Sequence, residues 1–452
     1  MIGCWSPAAI AAPYQTVVNA SKAAVAASDT NGVVVQVEAP VSVPRSPPRA
    51  LNFAPNVSDP QFKNVRLVMQ PGAANSDHSN TVAQLFYGAR RSIARGIHTA
   101  YVFPSTHWLA RLSQWDLNPD HTDNLFPGPV VNHSWVANSR SAANLLRRAD
   151  YSAVSNNILH VTGVRRRGAG DHLMAGGYNA LVVGGSTQNI DTPYPPVDAF
   201  YDQGRTRPHL VGPYPHASAA APIVSAAAVR LNALAADRDM LLAKTRHGSA
   251  QLPVELVRAI FMASARGNFE IEAKGEVVVN AFGTLGVTDN GLDKRFGMGM
   301  LNVDAAEDLF SIGADAVGDI YAEQGFTYNA IATKGVNDIR VTPDRDGWLQ
   351  LSLSWLADIR VTDTGLLASL PDFDLQLLAS STVDSEQRES EHTAQDDHGP
   401  DAPLVLLAQS AARADSTENL RVRVERGRDY VVRIVRRDDG DPWPVALAWY
   451  RH

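Results

Sequence analysis

The period of the hydrophobic pattern changes near residue 330, and this change limits what the chain can fold into more than any other feature. Before it, apolar residues come in short unbroken runs. Val33-Val34-Val35-Gln36-Val37 is the clearest, and Val65 to Met69, Ala100 to Phe103, Val130 to Asn132, Ile158 to Val161 and Ala180 to Val183 follow, with helical stretches between several of them. Unbroken β-branched runs suit strands covered on both faces, so this part predicts an α/β domain with a mostly parallel sheet between helices. After residue 330 the pattern alternates with period two: Leu349, Leu351, Leu353 and Trp355; Phe373, Leu375 and Leu377; Leu420, Val422 and Val424; Tyr430, Val432 and Ile434. Alternation broken by turn signals such as Asp346-Gly347 predicts an all-β sandwich or jelly roll. The expected division is therefore residues 1–320 and 330–452, with a polar, mobile loop at 384–401. The first thirty residues are Ala-rich with helical spacing, and residues 40–60 are Pro-rich and irregular.

Charge excludes some functions. The chain has 452 residues and a formal net charge of −7, with no basic block of the kind that phosphate binding requires, which argues against nucleic acid as a partner. Residues 384–401 hold seven acidic side chains and one basic one, so the acidity is local. Cys4 stands alone, which excludes an internal disulfide and a Cys-based zinc site. No apolar run reads as long enough to cross a bilayer. The first residues lack a secretory signal pattern, so the protein is expected to stay inside the cell if Met1 is the native start.

Five segments in a fixed order point to the chemistry. Pro215-His216-Ala217-Ser218-Ala219-Ala220-Ala221-Pro222 places a serine at the start of an apolar helix, where the helix end favours a developing anion. Taken alone, this is also what an ordinary helix cap looks like. The segment resembles the nucleophile motif of subtilisin-like serine peptidases, Gly-Thr-Ser-x-Ala-Ala-Pro, at Ser218, Ala220, Ala221 and Pro222. Arg207 to Pro213 resembles the lead-in to that motif, Pro253 to Ala265 the helix that follows, and Phe296-Gly297-Met298-Gly299-Met300-Leu301-Asn302 the closing Gly-x-Gly-x-(Leu/Val)-Asn turn. Upstream, Asp77-His78-Ser79-Asn80-Thr81-Val82-Ala83 is similar to the family's His-Gly-Thr-His-Val-Ala motif at His78, Val82 and Ala83.

The resemblance implies a three-layer α/β/α subtilisin-like domain and a serine endopeptidase working through an acyl-enzyme on protein or peptide substrates. Ser218 would be the nucleophile, His78 the base and Glu38, at the end of the first buried strand, the acid. Asp29 and Asp59 are the fallback acids. The chain departs from the family where Val164 stands in place of the oxyanion Asn and where Ala217 replaces the threonine before the nucleophile. Ser134, Trp135 and Val136 align with the substrate-binding strand, where Trp135 and Val136 add bulk. These departures keep a second function open, a pseudopeptidase that binds peptides with little turnover.

In the β region, Asp372-Phe373-Asp374-Leu375 and Gly427-Arg428-Asp429-Tyr430-Val431-Val432-Arg433-Ile434 resemble the pre-peptidase or P-domain-like jelly rolls appended to exported bacterial peptidases, which implies an extracytoplasmic location. No cofactor is required. The resemblance allows a structural calcium ion, although no dense Asp-x-Asp-x-Asp loop is present. No Gly-x-Ser-x-Gly elbow, His-Glu-x-x-His pair or phosphate loop competes with this reading.

Overall fold

A strand packed on both faces must send alternate side chains into two cores, and β1 (Val33–Glu38) does so. Val34 joins one apolar cluster, whereas Val35 and Val37 join a second with Trp108, Leu112 and Leu146. The computed structural model describes residues 18–22, 32–42, 51–117, 126–137, 142–165, 173–186, 192–194, 201, 204–236, 251–273, 276–312, 324–380 and 403–452. The proposed N-terminal helix, Asp29 and the acidic loop at 384–401 lie wholly or largely outside these residues.

Six further strands complete the sheet: β2 (Arg66–Met69), β3 (Thr99–Pro104), β4 (Val130–His133), β5 (Leu159–Gly163), β6 (Leu181–Gly185) and β7 (Leu210–Gly212). All pair in parallel, in the order β7-β6-β5-β4-β1-β3-β2. Each expected run appears as a strand, shifted by a residue or two at its ends. The helices are α1 (Asp77–Tyr87), α2 (Ser105–Gln114), α3 (Ala142–Asn156), α4 (Ala217–Ala236), α5 (Val254–Ser264) and α6 (Val303–Ile312). Side chains of α1, α4, α5 and α6 share the cluster of Val34, and side chains of α2 and α3 share that of Val35. The result is a three-layer α/β/α unit. Because β1 lies between β3 and β4, the order of strand addition reverses there, opening a crevice at the carboxyl ends of β1 and β4.

Helix α4 crosses this sheet on a track of small residues. Strands β5, β6 and β7 all end in glycine beneath its start; a Cβ on Gly185 would sit 2.3 Å from the Pro215 carbonyl oxygen, and one on Gly212 would sit 2.7 Å from the Ala220 Cβ. One expectation needs amendment here. By length and composition α4 passes as a membrane span, but 89% of its apolar window is buried within the protein, as in a core helix.

The strands of the two larger C-terminal sheets are β8 (Gly325–Ile331), β9 (Val336–Val341), β10 (Gly347–Trp355), β11 (Phe373–Ser380), β12 (Leu404–Ser410), β13 (Thr417–Val424), β14 (Tyr430–Arg436) and β15 (Trp443–Arg451). They form two four-stranded antiparallel sheets, β8-β15-β10-β13 and β9-β14-β11-β12, around a core of Leu349, Leu351, Leu353, Trp355, Phe373, Leu375 and Trp449. The opposite face of the first sheet is also covered. Ala446 and Ala448 belong to the same cluster as α5, and the buried Gln350 Nε2 donates to the carbonyls of Met262 (2.7 Å) and Ala265 (2.8 Å). Every residue of α5 is consequently buried.

A charged contact fixes the junction. The turn before β13 inserts Asp415, whose carboxylate accepts from Arg207 Nη1 at 2.8 Å and from the Thr206 N–H at 3.0 Å. Next to it, Ser416 accepts from Arg258 Nη2 at 2.9 Å and donates to the Tyr178 carbonyl at 2.7 Å. Burial and the neighbouring Arg207 charge pull the Arg258 guanidinium down to about 9, against the opposing pull of the Glu255, Asp150 and Asp415 carboxylates. Replacing Asp415 by Ala leaves the Arg207 charge buried without its carboxylate. Urea unfolding of Asp415→Ala is expected to show a loss of about 3–5 kcal/mol. A loss below about 1 kcal/mol, the range of an exposed pair, would contradict the contact.

Candidate active site

The site grows from one face of β1. Val34, Gln36 and Glu38 point the same way, toward α1, and the row turns from apolar to polar as it nears the crevice. Glu38 is almost wholly buried. Its Oε2 lies 2.9 Å from His78 Nδ1, while its Oε1 accepts from Gln36 Nε2 at 3.0 Å. His78 is the second residue of α1, whose N-cap Ser76 accepts from the Ser79 N–H; Val82, Ala83, Leu85 and Phe86 bury the face that holds the helix in place. The imidazole side chain keeps 49% of its exposure. Burial pulls the His78 pKa down, but the hydrogen bond to Glu38 and its charge outweigh that, and the net shift is upward. With Nδ1 held by Glu38, Nε2 is the ring nitrogen left for a reacting partner.

Glu38 is thus the carboxylate that meets His78. Asp59 is engaged elsewhere: it caps the turn Pro60–Phe62 and accepts from Asn80 and Gln84. Asp29 lies outside the described residues.

Ser218 is the second residue of α4, partly buried, and α4 packs against α1. The amides of Ala219 and Ala220 turn back to the His216 carbonyl, and among the described residues the N–H groups of Ala217 and Ser218 are the first-turn donors with no backbone acceptor. Pro222, which has no N–H, gives the Ser218 carbonyl no helical partner. His216 lies near enough to His78 for its pKa to respond: burial lowers it, and the positive charges of Arg165 and His78 lower it further. Among the described residues no hydrogen bond joins Ser218 to His78, whose Nδ1 is engaged by Glu38.

The remaining sequence candidates sit deeper. Val164 follows β5, is 2% exposed and packs with Ala175, Ala180, Val182 and Tyr194. Trp135 is 5% exposed, so its bulk goes into the core and not into an open groove. Ser134 is buried and accepts from Asn132 Nδ2, whereas Val136 is partly exposed.

Trp135 also begins a chain that sequence reasoning missed. Its indole N–H can only donate, so His133 Nδ1 accepts at 3.2 Å; His133 Nε2–H then donates to His160 Nδ1 at 3.0 Å, and His160 Nε2–H to Ser152 Oγ at 2.8 Å. Both rings are neutral, with burial pulling His160 down to about 3. They lie on the face of the sheet opposite Glu38. Gln36 and Tyr87 were missed as well, although the period-two spacing of Gln36 and Glu38 already set them on one face. Among the described residues no group of three His, Cys, Asp or Glu side chains is arranged to hold a metal ion.

No family model matches the chain, and no curated protein matches it. Solved structures do. The prenylagaramide maturation protease PagA is 20% identical over 62% of this chain and 94% of its own, at a TM-score of 0.38. A serine protease of Aeromonas sobria is 13% identical over 93% of this chain and 88% of its own, at 0.36. The psychrophilic subtilisin-like protease Apa1 from the Antarctic psychrotroph Pseudoalteromonas sp. AS-11 is 10% identical over 67% and 98%, at 0.34.

The position of Val164 yields a direct prediction. An amide in that apolar cluster would be buried without an evident partner, so Val164→Asn is expected to lower stability by about 1–3 kcal/mol in thermal or urea unfolding. Unchanged stability together with faster peptide hydrolysis would show instead that the side chain reaches the reacting atoms.

Proposed function

We propose that the chain is a subtilisin-like serine endopeptidase with Ser218 as nucleophile, His78 as general base and Glu38 as the orienting acid. The observation that carries the reading is the 2.9 Å contact between the buried Glu38 carboxylate and Nδ1 of a half-exposed His78, on a helix packed against the one that carries Ser218 in its first turn. Ser218 Oγ attacks the scissile carbonyl of a peptide while His78 Nε2 takes its proton. The imidazolium formed is stabilised by Glu38, then gives the proton to the leaving amine, and water later releases the acyl group by the same base. The Ser218 N–H, at the positive end of α4, is the oxyanion donor contributed by the helix.

Val164, apolar and buried, favours the second reading, a peptide-binding module with little turnover, and experiment separates the two. Labelling by a fluorophosphonate probe, lost in Ser218→Ala, is expected of the enzyme; folded wild-type protein that never labels would contradict it.

The pH profile tests the acid. Protonated His78 cannot accept the serine proton, so kcat/KM should fall as pH drops through its pKa. Since Glu38 raises that pKa, the acid limb should lie above the ordinary imidazole value of 6.5. In Glu38→Gln the limb should move to lower pH and kcat should fall by about 10²-fold or more. A limb and rate that stay put would remove Glu38 from the mechanism.

A further inference from the structure

We infer that Gln36 is a positioning residue of this site: its amide fixes the Glu38 carboxylate so that Oε2 alone faces His78. The inference rests on the peptidase reading for its effect on rate, and on geometry for the contact itself.

The amide orientation follows from chemistry. One end of Gln36 meets Glu38 Oε1 at 3.0 Å, the Ser79 carbonyl at 3.1 Å and Ser79 Oγ at 3.0 Å. A carboxylate and a carbonyl can only accept, so that end is the NH₂ group. The other end, Oε1, then accepts from the buried Tyr87 hydroxyl at 2.6 Å. Each of Gln36, Ser79 and Tyr87 is buried, which removes water as a substitute partner.

A glutamate needs such a fixture. It has one more rotatable bond than an aspartate, so a single contact to His78 would leave its oxygens free to exchange or swing away. Gln36 occupies one oxygen from the same strand, two residues back, and Ser79 ties the amide to the helix that carries His78. Strand β1 and helix α1 are thereby locked at the distance the pair requires. Tyr87 keeps the amide from flipping, which would turn a carbonyl toward the carboxylate.

The test uses the full chain with Gln36→Leu, Tyr87→Phe and Glu38→Ala. Gln36→Leu is expected to lower kcat and the fluorophosphonate labelling rate roughly 10-fold to 100-fold with KM changed less than about twofold, while Tyr87→Phe, the milder change, lowers kcat several-fold. In the Glu38→Ala background the further loss from Gln36→Leu should vanish, because the residue acts through Glu38; a purely structural role would cost the same in both backgrounds. The Nδ1–H proton resonance of His78, read by NMR, should move upfield or broaden away in Gln36→Leu, and this readout needs no activity. If wild-type protein does not label, the peptidase reading fails and the resonance alone decides the contact. An unchanged resonance, or equal losses with and without Glu38, overturns the inference. If Gln36→Leu does not fold, Tyr87→Phe decides by the same resonance and the same comparison.

Discussion

A carboxylate buried at the end of a strand is costly unless both of its oxygens are satisfied, and Glu38 sets this requirement for the whole site. Its partners come from two elements: Gln36 on β1 and His78 on α1. The strand must then stop where it does, the helix must start where it does, and the polar end of the β1 row must open into the crevice between β1 and β4. The other face of the sheet is free to pack Trp108, Trp135 and the two neutral histidines, which serve the core.

The second constraint is the passage of α4 across the sheet. Three strands end in glycine beneath its first turn, and small residues line its path, so Ser218 is delivered at the carboxyl edge by backbone approach. The segment Phe296 to Asn302 covers the open side of β7, the last strand of the sheet: Met298 and Leu301 donate to the carbonyls of His209 and Val211, and Val211 donates to Gly299. The β-sandwich is built into this arrangement. Helix α5 is buried between the α/β unit and the first sheet of the sandwich, and Gln350, Ser416 and Asp415 spend their hydrogen bonds on the larger unit.

Much of this is legible in the sequence, and the physical reason is burial. Strands covered on both faces are unbroken apolar runs, so β1, β3, β4, β5 and β6 can be read directly; strands with a single clear apolar alternation, β10, β11, β13 and β14, can be read as well. Strands β8, β9, β12 and β15 escape because their patterns are mixed: Ala446 and Ala448 face a helix, and Leu404 to Leu407 are half-exposed. Glu38 and His78 are readable because motif order fixes them. Gln36, Tyr87 and the His133 and His160 chain are not, since they depend on which side chains meet across elements. Val164 and Trp135 show the limit of alignment to a motif, because burial decides what a side chain can reach.

The account stands or falls on a covalent intermediate at Ser218. Acid-quenching the protein during turnover of an activated peptide ester, followed by mass spectrometry of its peptides, should find the acyl group on the peptide containing Ser218, with none in His78→Ala. An acyl group on another residue, or product formed with no adduct and no dependence on His78, would contradict it.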